Sequence, residues 1–388
     1  MCMVTLKHQS LAIVGAVLST LGTAELAGAI VTAGDSQSHQ LVPGEFSGVV
    51  SINTATNHCT GSLLKGGLHI LTAAHCITDD NGKFKTSDLN KTKATFNLST
   101  GSVSIPVTDF FVHPNYDGKF YKGNDIAVLR LSTSAPSQAQ QYDIYRAQDE
   151  VGKIFTQVGY GYLGNGYAGQ DTQSNLSQLG YFGKNQFDAS EGIFNPLFKQ
   201  QLPDLTSMIP GSQLFYDFDS GVSTNDAFGT HFGIKNLGLG NEESNIAAGD
   251  SGGPAFIDDL IAGIASYSFS DSFVFPSGVH TDLTTGTDSS FGEFSVTTRI
   301  SNYAQFIDAV LANKVVSAAP LPLRLTTLLP SARLQSFTSR QATNSTLTTI
   351  PESTPILGML AFGAALGFVR KGQKSCVYFK KKESIKVR

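Results

Sequence analysis

The chain has 388 residues, 41% of them hydrophobic and 15% charged, and a formal net charge of -4. That length holds one large domain or two ordinary ones, and so small a charge leaves no electrostatic footprint for nucleic acid or an anionic membrane. With 39 Gly, 26 Phe and 12 Tyr, the surface must draw its polarity from Ser, Thr, Asn and Gln, a profile of turn-rich β proteins outside the cytoplasm rather than of helical cytosolic ones.

Lys7 and His8 precede an apolar run over 11–22, and Ala27-Gly28-Ala29 forms a small-x-small site. Together they predict a secretory leader over 1–29. A buried helix or an uncleaved anchor is the alternative, although the run is short for a bilayer span. Further on, residues 48–53, 59–64 and 69–72 are short β-rich runs broken by Gly and Asn, the pattern of barrel strands. Cys2 and Cys376 fall in the leader and the tail, so the mature domain keeps Cys59 and Cys76. In an exported protein these read as one disulfide, with two buried thiols as the alternative.

Three stretches carry chemistry. His75 lies in Leu71-Thr72-Ala73-Ala74-His75-Cys76, Asp125 opens the apolar run Ile126 to Leu131, and Ser251 lies in Gly249-Asp250-Ser251-Gly252-Gly253-Pro254. An imidazole titrates near neutrality and can exchange a proton with a hydroxyl. A carboxylate at the mouth of a core strand is costly unless paired. A Gly-flanked Ser in a tight turn presents its hydroxyl, and the amides of Gly249 and Ser251 are free to converge on a developing oxyanion.

The order His, Asp, Ser, with these contexts and with Cys59-Thr60-Gly61-Ser62-Leu63-Leu64 and residues 263–267, resembles the trypsin/chymotrypsin-like serine peptidases from about Ile30 to about Lys314. The same three residues on other folds come in other chain orders. The resemblance implies an all-β fold of two six-stranded antiparallel barrels with a C-terminal helix, here with a large insertion in the second barrel. It pairs Cys59 with Cys76 and makes Ser251 the nucleophile, His75 the base and Asp125 its orienter, with Ser266 beside Asp125. It implies that the oxyanion is held by Gly249 and Ser251. A new Ile30 amine would pair with Asp250, although no Arg or Lys precedes Ile30 and Thr32-Ala33 replaces the usual glycine pair. The base of the primary pocket falls on Asn245, which argues against a preference for Arg or Lys, and Ser266, Ser268 and Ser295 would line and narrow that pocket. Glu242 and Glu243 stand close enough in sequence to attract a basic side chain. His113 reads as a loop residue.

From Tyr162 to Ser251 runs a stretch of roughly 90 residues, too long for a structureless loop in a compact domain. It predicts extra hairpins around the site. Its acidic group Asp217, Asp219 and Asp226, with Asn225, reads as turn-forming Asx residues. Such oxygens could also hold Ca²⁺, but the spacing matches no calcium loop, so no metal or cofactor is assigned. Ile300, Tyr303, Phe306, Ile307, Val310 and Leu311 recur at helical spacing and predict a closing helix over 302–311.

Residues 315–350, rich in Ser, Thr, Leu and Pro, read as a linker. Then follow Pro351-Glu352-Ser353-Thr354-Pro355, an apolar stretch over 356–369, and Arg370, Lys371 and Lys374. This ending over 351–388 resembles the PEP-CTERM sorting signals handled by exosortases, with Pro-Glu-Ser in place of Pro-Glu-Pro. The apolar part is about 14 residues, short for a permanent span. The expectation is therefore a secreted serine endopeptidase acting on polypeptides, processed by signal peptidase and an exosortase-type enzyme, transiently tethered to the membrane and delivered to the cell surface or beyond. A catalytically silent binding module of the same fold and an esterase are the alternatives.

Overall fold

The computed structural model describes residues 30–315 apart from 85, 174–175, 177–178, 203–206 and 285. The expected leader, nearly all of the linker and the sorting segment lie outside the described residues. Within them no helix is long and apolar enough to cross a membrane.

After a short strand β1 (Val31–Thr32), the first half builds β2 (Val49–Asn53), β3 (His58–Leu63), β4 (His69–Thr72), β5 (Lys93–Leu98), β6 (Gly101–Val112) and β7 (Ala127–Leu131). They close into an antiparallel six-stranded barrel in the order β2-β3-β4-β7-β6-β5. Successive side chains of a strand point to opposite faces, and the sequence uses both. Val50, Ile70 and Leu129 fill the barrel with Ile52, Phe96 and Phe110. Their neighbours Val49, Leu71 and Val128 turn outward to meet Val158, Phe256 and Ile264 of the second half. One alternating pattern therefore supplies both a core and a seam.

The second half comprises β8 (Ile154–Gly159), β9 (Gly164–Asn165), β10 (Gly169–Gln170), β11 (Tyr181–Gln186), β12 (Ala189–Ser190), β13 (Gln213–Asp217), β14 (Ser244–Asn245), β15 (Pro254–Ile257), β16 (Leu260–Phe269) and β17 (Phe294–Arg299). Seven of these strands curl into one sheet, β11-β8-β15-β16-β17-β13-β12. The expected all-β class thus holds, with one closed barrel and one curled sheet. A separate four-stranded sheet, β10-β9-β1-β14, seats residues 31 and 32 inside the second half, Val31 opposite Asn245.

The long segment before Ser251 is more than hairpins. It carries the helices Asn195–Gln201 and Ala227–Phe232 and packs a phenylalanine cluster of its own. Phe194 stacks on Phe215 at 4.4 Å and meets Phe294 edge-on at 5.1 Å. The closing segment forms a 3-10 turn, Ile300–Tyr303, then the helix Ala304–Leu311, which buries Ile307 and Val310 in the seam. His113 packs edge-on against Tyr303 and Phe306 and is a loop anchor for this helix.

Cys59 and Cys76 are joined, Cα to Cα 6.2 Å, across 17 residues. Closing a loop of that size stabilises by about 3 kcal/mol through the unfolded chain. The double variant Cys59→Ala/Cys76→Ala is expected to lower the unfolding free energy by about that amount, read from denaturant midpoints under oxidising conditions.

Candidate active site

The 3-10 turn Ala74–Cys76 follows β4 and sets His75 at the rim of the barrel. Asp125, at the approach to β7, is 0% exposed. A carboxylate so placed needs partners, and it has several. The His75 backbone N–H donates to Oδ1 at 2.9 Å and its Nδ1 donates to Oδ2 at 2.7 Å. Ser266 Oγ, from the second half, donates to Oδ2 at 2.6 Å. Ser266 sits where the register of β16 against β17 slips between Ala265 and Tyr267, and the extra residue of a bulge is free to aim its side chain out of the ladder. Thr298 Oγ1 donates to the Asp125 carbonyl at 2.9 Å.

These contacts decide the protonation states. Burial alone would raise the Asp125 carboxyl, but the His75 imidazole and the hydrogen bonds from His75 and Ser266 outweigh it and hold the carboxyl below its usual range. Burial alone would lower His75, but the Asp125 charge and hydrogen bond outweigh it and raise the imidazole above 6.5. With Nδ1–H committed to an acceptor, the neutral ring keeps a lone pair on Nε2.

Ser251 heads the turn into β15, and Thr60 of β3 clamps that turn. The Thr60 N–H donates to the Ser251 carbonyl at 2.8 Å and Thr60 Oγ1 donates to the Gly249 carbonyl at 3.0 Å. Sγ of Cys76, the residue after His75, lies 3.5 Å from the same Ser251 carbonyl oxygen. Gly249 has φ +102°, which side chains disfavour. The amides of Gly249 and Ser251 have no hydrogen-bond partner among the described residues, and no hydrogen bond joins Ser251 Oγ to His75 Nε2.

Asp250 between them is fully buried. Its carboxylate accepts from the amides of Gly161 and Ala247, each at 2.8 Å, and from the backbone N–H of Ile30. Burial outweighs these three neutral donors and pushes the carboxyl up to about 7. The expected partners Ile30 and Asp250 are thus brought together, with Ile30 buried beside Tyr181 and Leu163.

Asn245 and Ser295 meet behind this turn. Ser295 Oγ donates to Asn245 Oδ1 at 2.5 Å and the Ile246 N–H donates to the same oxygen at 2.9 Å. Asn245 Nδ2 is a buried donor without a partner among the described residues. Ser268 stands opposite Ser295 in the β16–β17 ladder. Glu242 is paired with Lys184 at 2.8 Å and Glu243 is buried, its Oε2 accepting from Leu239. One aromatic residue beside the histidine has no motif of its own in the sequence: Phe120 lies edge-on to His75 at 6.2 Å and packs 5.0 Å from Tyr267. Its only sequence signal is proximity to Asp125.

Asp217, Asp219 and Asp226 are all buried, and each turns a carboxylate oxygen to within 4.8 Å of the other two. Asp217 Oδ2 accepts from the Phe228 N–H and Asp226 Oδ1 from the Gly229 N–H, so both cap the helix Ala227–Phe232. Desolvation raises all three carboxyls, reinforced for Asp217 and Asp219 by the neighbouring acids, which include Asp188 and Glu243.

A closed barrel and a curled sheet, meeting at a buried His–Asp pair and a Gly-Asp-Ser-Gly-Gly turn, define the chymotrypsin-like class of serine protease fold. The trypsin family model matches residues 33–186, and over that stretch the chain is similar to the trypsin/chymotrypsin-like family. That match takes in His75 and Asp125 and stops short of Ser251. Among solved structures, an inactivated protease paralogue of the scabies mite superposes with a TM-score of 0.51 at 15% identity, over 74% of this chain and 100% of that one. Mouse neuropsin, a serine protease expressed in the limbic system of the brain, gives a TM-score of 0.46 at 18% identity over 70% of this chain and 98% of its own.

The His75–Asp125 pair has a direct readout. Replacing Asp125 by Asn removes what raises the imidazole and leaves the burial that lowers it. The His75 midpoint in an NMR pH titration is therefore expected to fall from above 6.5 to below it.

Proposed function

We propose that this protein is an exported serine endopeptidase. The observation that carries the reading is the His75–Asp125 pair, held at 2.7 Å by a buried carboxylate, beside a Ser-bearing turn whose Gly249 and Ser251 amides have no partner among the described residues. His75 Nε2 takes the Ser251 Oγ proton as Oγ attacks the scissile carbonyl carbon. The tetrahedral oxyanion lies against the Gly249 and Ser251 amides. The leaving amine departs with the proton from His75, and water then cleaves the acyl ester by the same route. In an unliganded site a long nucleophile–base distance is common and closes on substrate binding. A missing Ser251–His75 hydrogen bond is equally compatible with a silent member of the fold, and the scabies mite paralogue is an inactivated protease of comparable architecture.

Asn245, bonded to Ser295, which stands opposite Ser268 in one ladder, supports a preference for small or medium uncharged residues before the scissile bond, since an uncharged Asn forms no ion pair with Arg or Lys. Leader cleavage after Ala29 would turn the Ile30 amide into an ammonium ion. Asp250 would then gain the cation that its three neutral donors do not supply. Export, the exosortase-type processing at 351–388 and a transient membrane tether rest on the sequence features alone.

A fluorophosphonate probe is expected to label Ser251 of the folded, processed protein, and Ser251→Ala to abolish labelling. His75→Ala is expected to cut kcat by about 10⁴-fold or more. An unlabelled Ser251 in a protein beginning at Ile30 would leave the silent-module reading. For the active enzyme, kcat/KM falls as pH drops through the raised His75 pKa, so the acid limb lies above 6.5.

A further inference from the structure

Asp219 has no use in the site described above. It is 2% exposed, and neither Oδ1 nor Oδ2 has a hydrogen-bond partner among the described residues. Its neighbours are capping residues that spend one oxygen each on the helix Ala227–Phe232 and turn carboxylate toward Asp219. Asx capping therefore accounts for Asp217 and Asp226 but not for Asp219. Asp217 Oδ1, Asp188 Oδ2 and Glu243 Oε1 also lack a hydrogen-bond partner among the described residues, and Asp188 and Glu243 act electrostatically on Asp219. Gly238 lies so close to Asp219 and Glu243 that an added Cβ would sit 2.7 Å from the Asp219 Cβ and 3.1 Å from the Glu243 Cδ. The chain is thus pressed around these acids, and it supplies no Lys or Arg ion pair to them among the described residues.

We propose that Asp217, Asp219 and Asp226 form a buried Ca²⁺ site, with Asp188 and Glu243 flanking it. The chemistry selects the ion. The donors are all oxygen, without a thiolate or imidazole among the three, which disfavours zinc and copper. Several carboxylate oxygens in a dry setting suit Ca²⁺, which accepts six to eight oxygen ligands in flexible geometry, whereas Mg²⁺ dehydrates reluctantly and keeps its waters. The site also has a position in the fold. Asp217 pairs with Phe294 in the β13–β17 ladder, next to Ser295, and Glu243 lies two residues before Asn245. A bound ion would tie the inserted segment to the strands behind the Asn245–Ser295 contact.

The test uses the whole chain, treated with chelator and then dialysed, in calorimetric titrations with CaCl₂ and MgCl₂ and in thermal melts with and without each. The expected result is uptake of Ca²⁺ at one site with a dissociation constant of about 10⁻⁴ M or tighter, a higher melting temperature with Ca²⁺, and little response to Mg²⁺. Asp219→Asn replaces an unpartnered buried carboxyl by a neutral amide of the same shape, so this variant is expected to fold at least as well without metal. It should nevertheless bind Ca²⁺ about tenfold or more weakly and lose the Ca²⁺-dependent rise in melting temperature. A wild-type chain that takes up no Ca²⁺ and melts identically with and without it would overturn the proposal. So would an Asp219→Asn chain that binds Ca²⁺ as the wild type does. Neither readout depends on hydrolysis.

Discussion

Asp125 holds its charge where no solvent reaches it, and the two halves of the molecule meet around that charge. A buried carboxylate without partners would cost several kcal/mol, on the order of a whole domain's margin of stability. The first barrel contributes two donors from one residue, the ring and the backbone amide of His75. The second half contributes Ser266 and, to the main-chain carbonyl, Thr298. Neither half satisfies the carboxylate alone. The same contact that neutralises a cost in the core also fixes the imidazole, so the position of His75 is a consequence of docking the two halves.

Thr60 acts from the other side of the seam. It lies on a barrel strand, yet its amide and hydroxyl hold the carbonyls on either side of Asp250. With those carbonyls taken, the Gly249 and Ser251 amides are left to face elsewhere, and the positive φ of Gly249 lets the turn adopt that orientation. The insertion completes the frame from behind. Its phenylalanine cluster packs Phe194 and Phe228 on Phe215, Phe269 and Phe294, which lie on strands β13, β16 and β17. β16 and β17 also carry Ser266, Ser268 and Ser295. Close packing transmits small shifts in such a cluster to the strands it touches.

Features encoded by a few neighbouring residues are legible in the sequence. Barrel strands follow from short β-rich runs broken by Gly and Asn, and the settings of His75, Asp125 and Ser251 follow from short local strings. The Cys59–Cys76 bond follows from the resemblance those strings carry. What escapes depends on contacts between distant segments. Nothing local shows that Val31 pairs with Asn245, or that Phe120 stands beside His75. The insertion reads as hairpins because its Gly, Asn and aromatic content signals turns and strands. Yet Pro196, in the first turn of its helix, and Asp226, at an N-cap, signal helix starts. Glu242 and Glu243 look alike as neighbours of the pocket, and only the fold separates a surface pair with Lys184 from a buried acid.

The buried acids differ most in who satisfies them. Asp125 receives an imidazole, a hydroxyl and an amide, and its carboxyl stays acidic. Asp250 receives amides only, and its carboxyl rises to about 7. Asp219 receives no donor among the described residues, and its neighbours are acids. Folding tolerates a buried charge in proportion to the partners the chain itself provides. The chain meets the requirement in full at Asp125, where the two halves meet. It leaves a shortfall at Asp250, beside a residue that cleavage of the chain would convert to a cation. At Asp219 it leaves the whole requirement open, and there the proposed Ca²⁺ would supply the positive charge that the polypeptide does not.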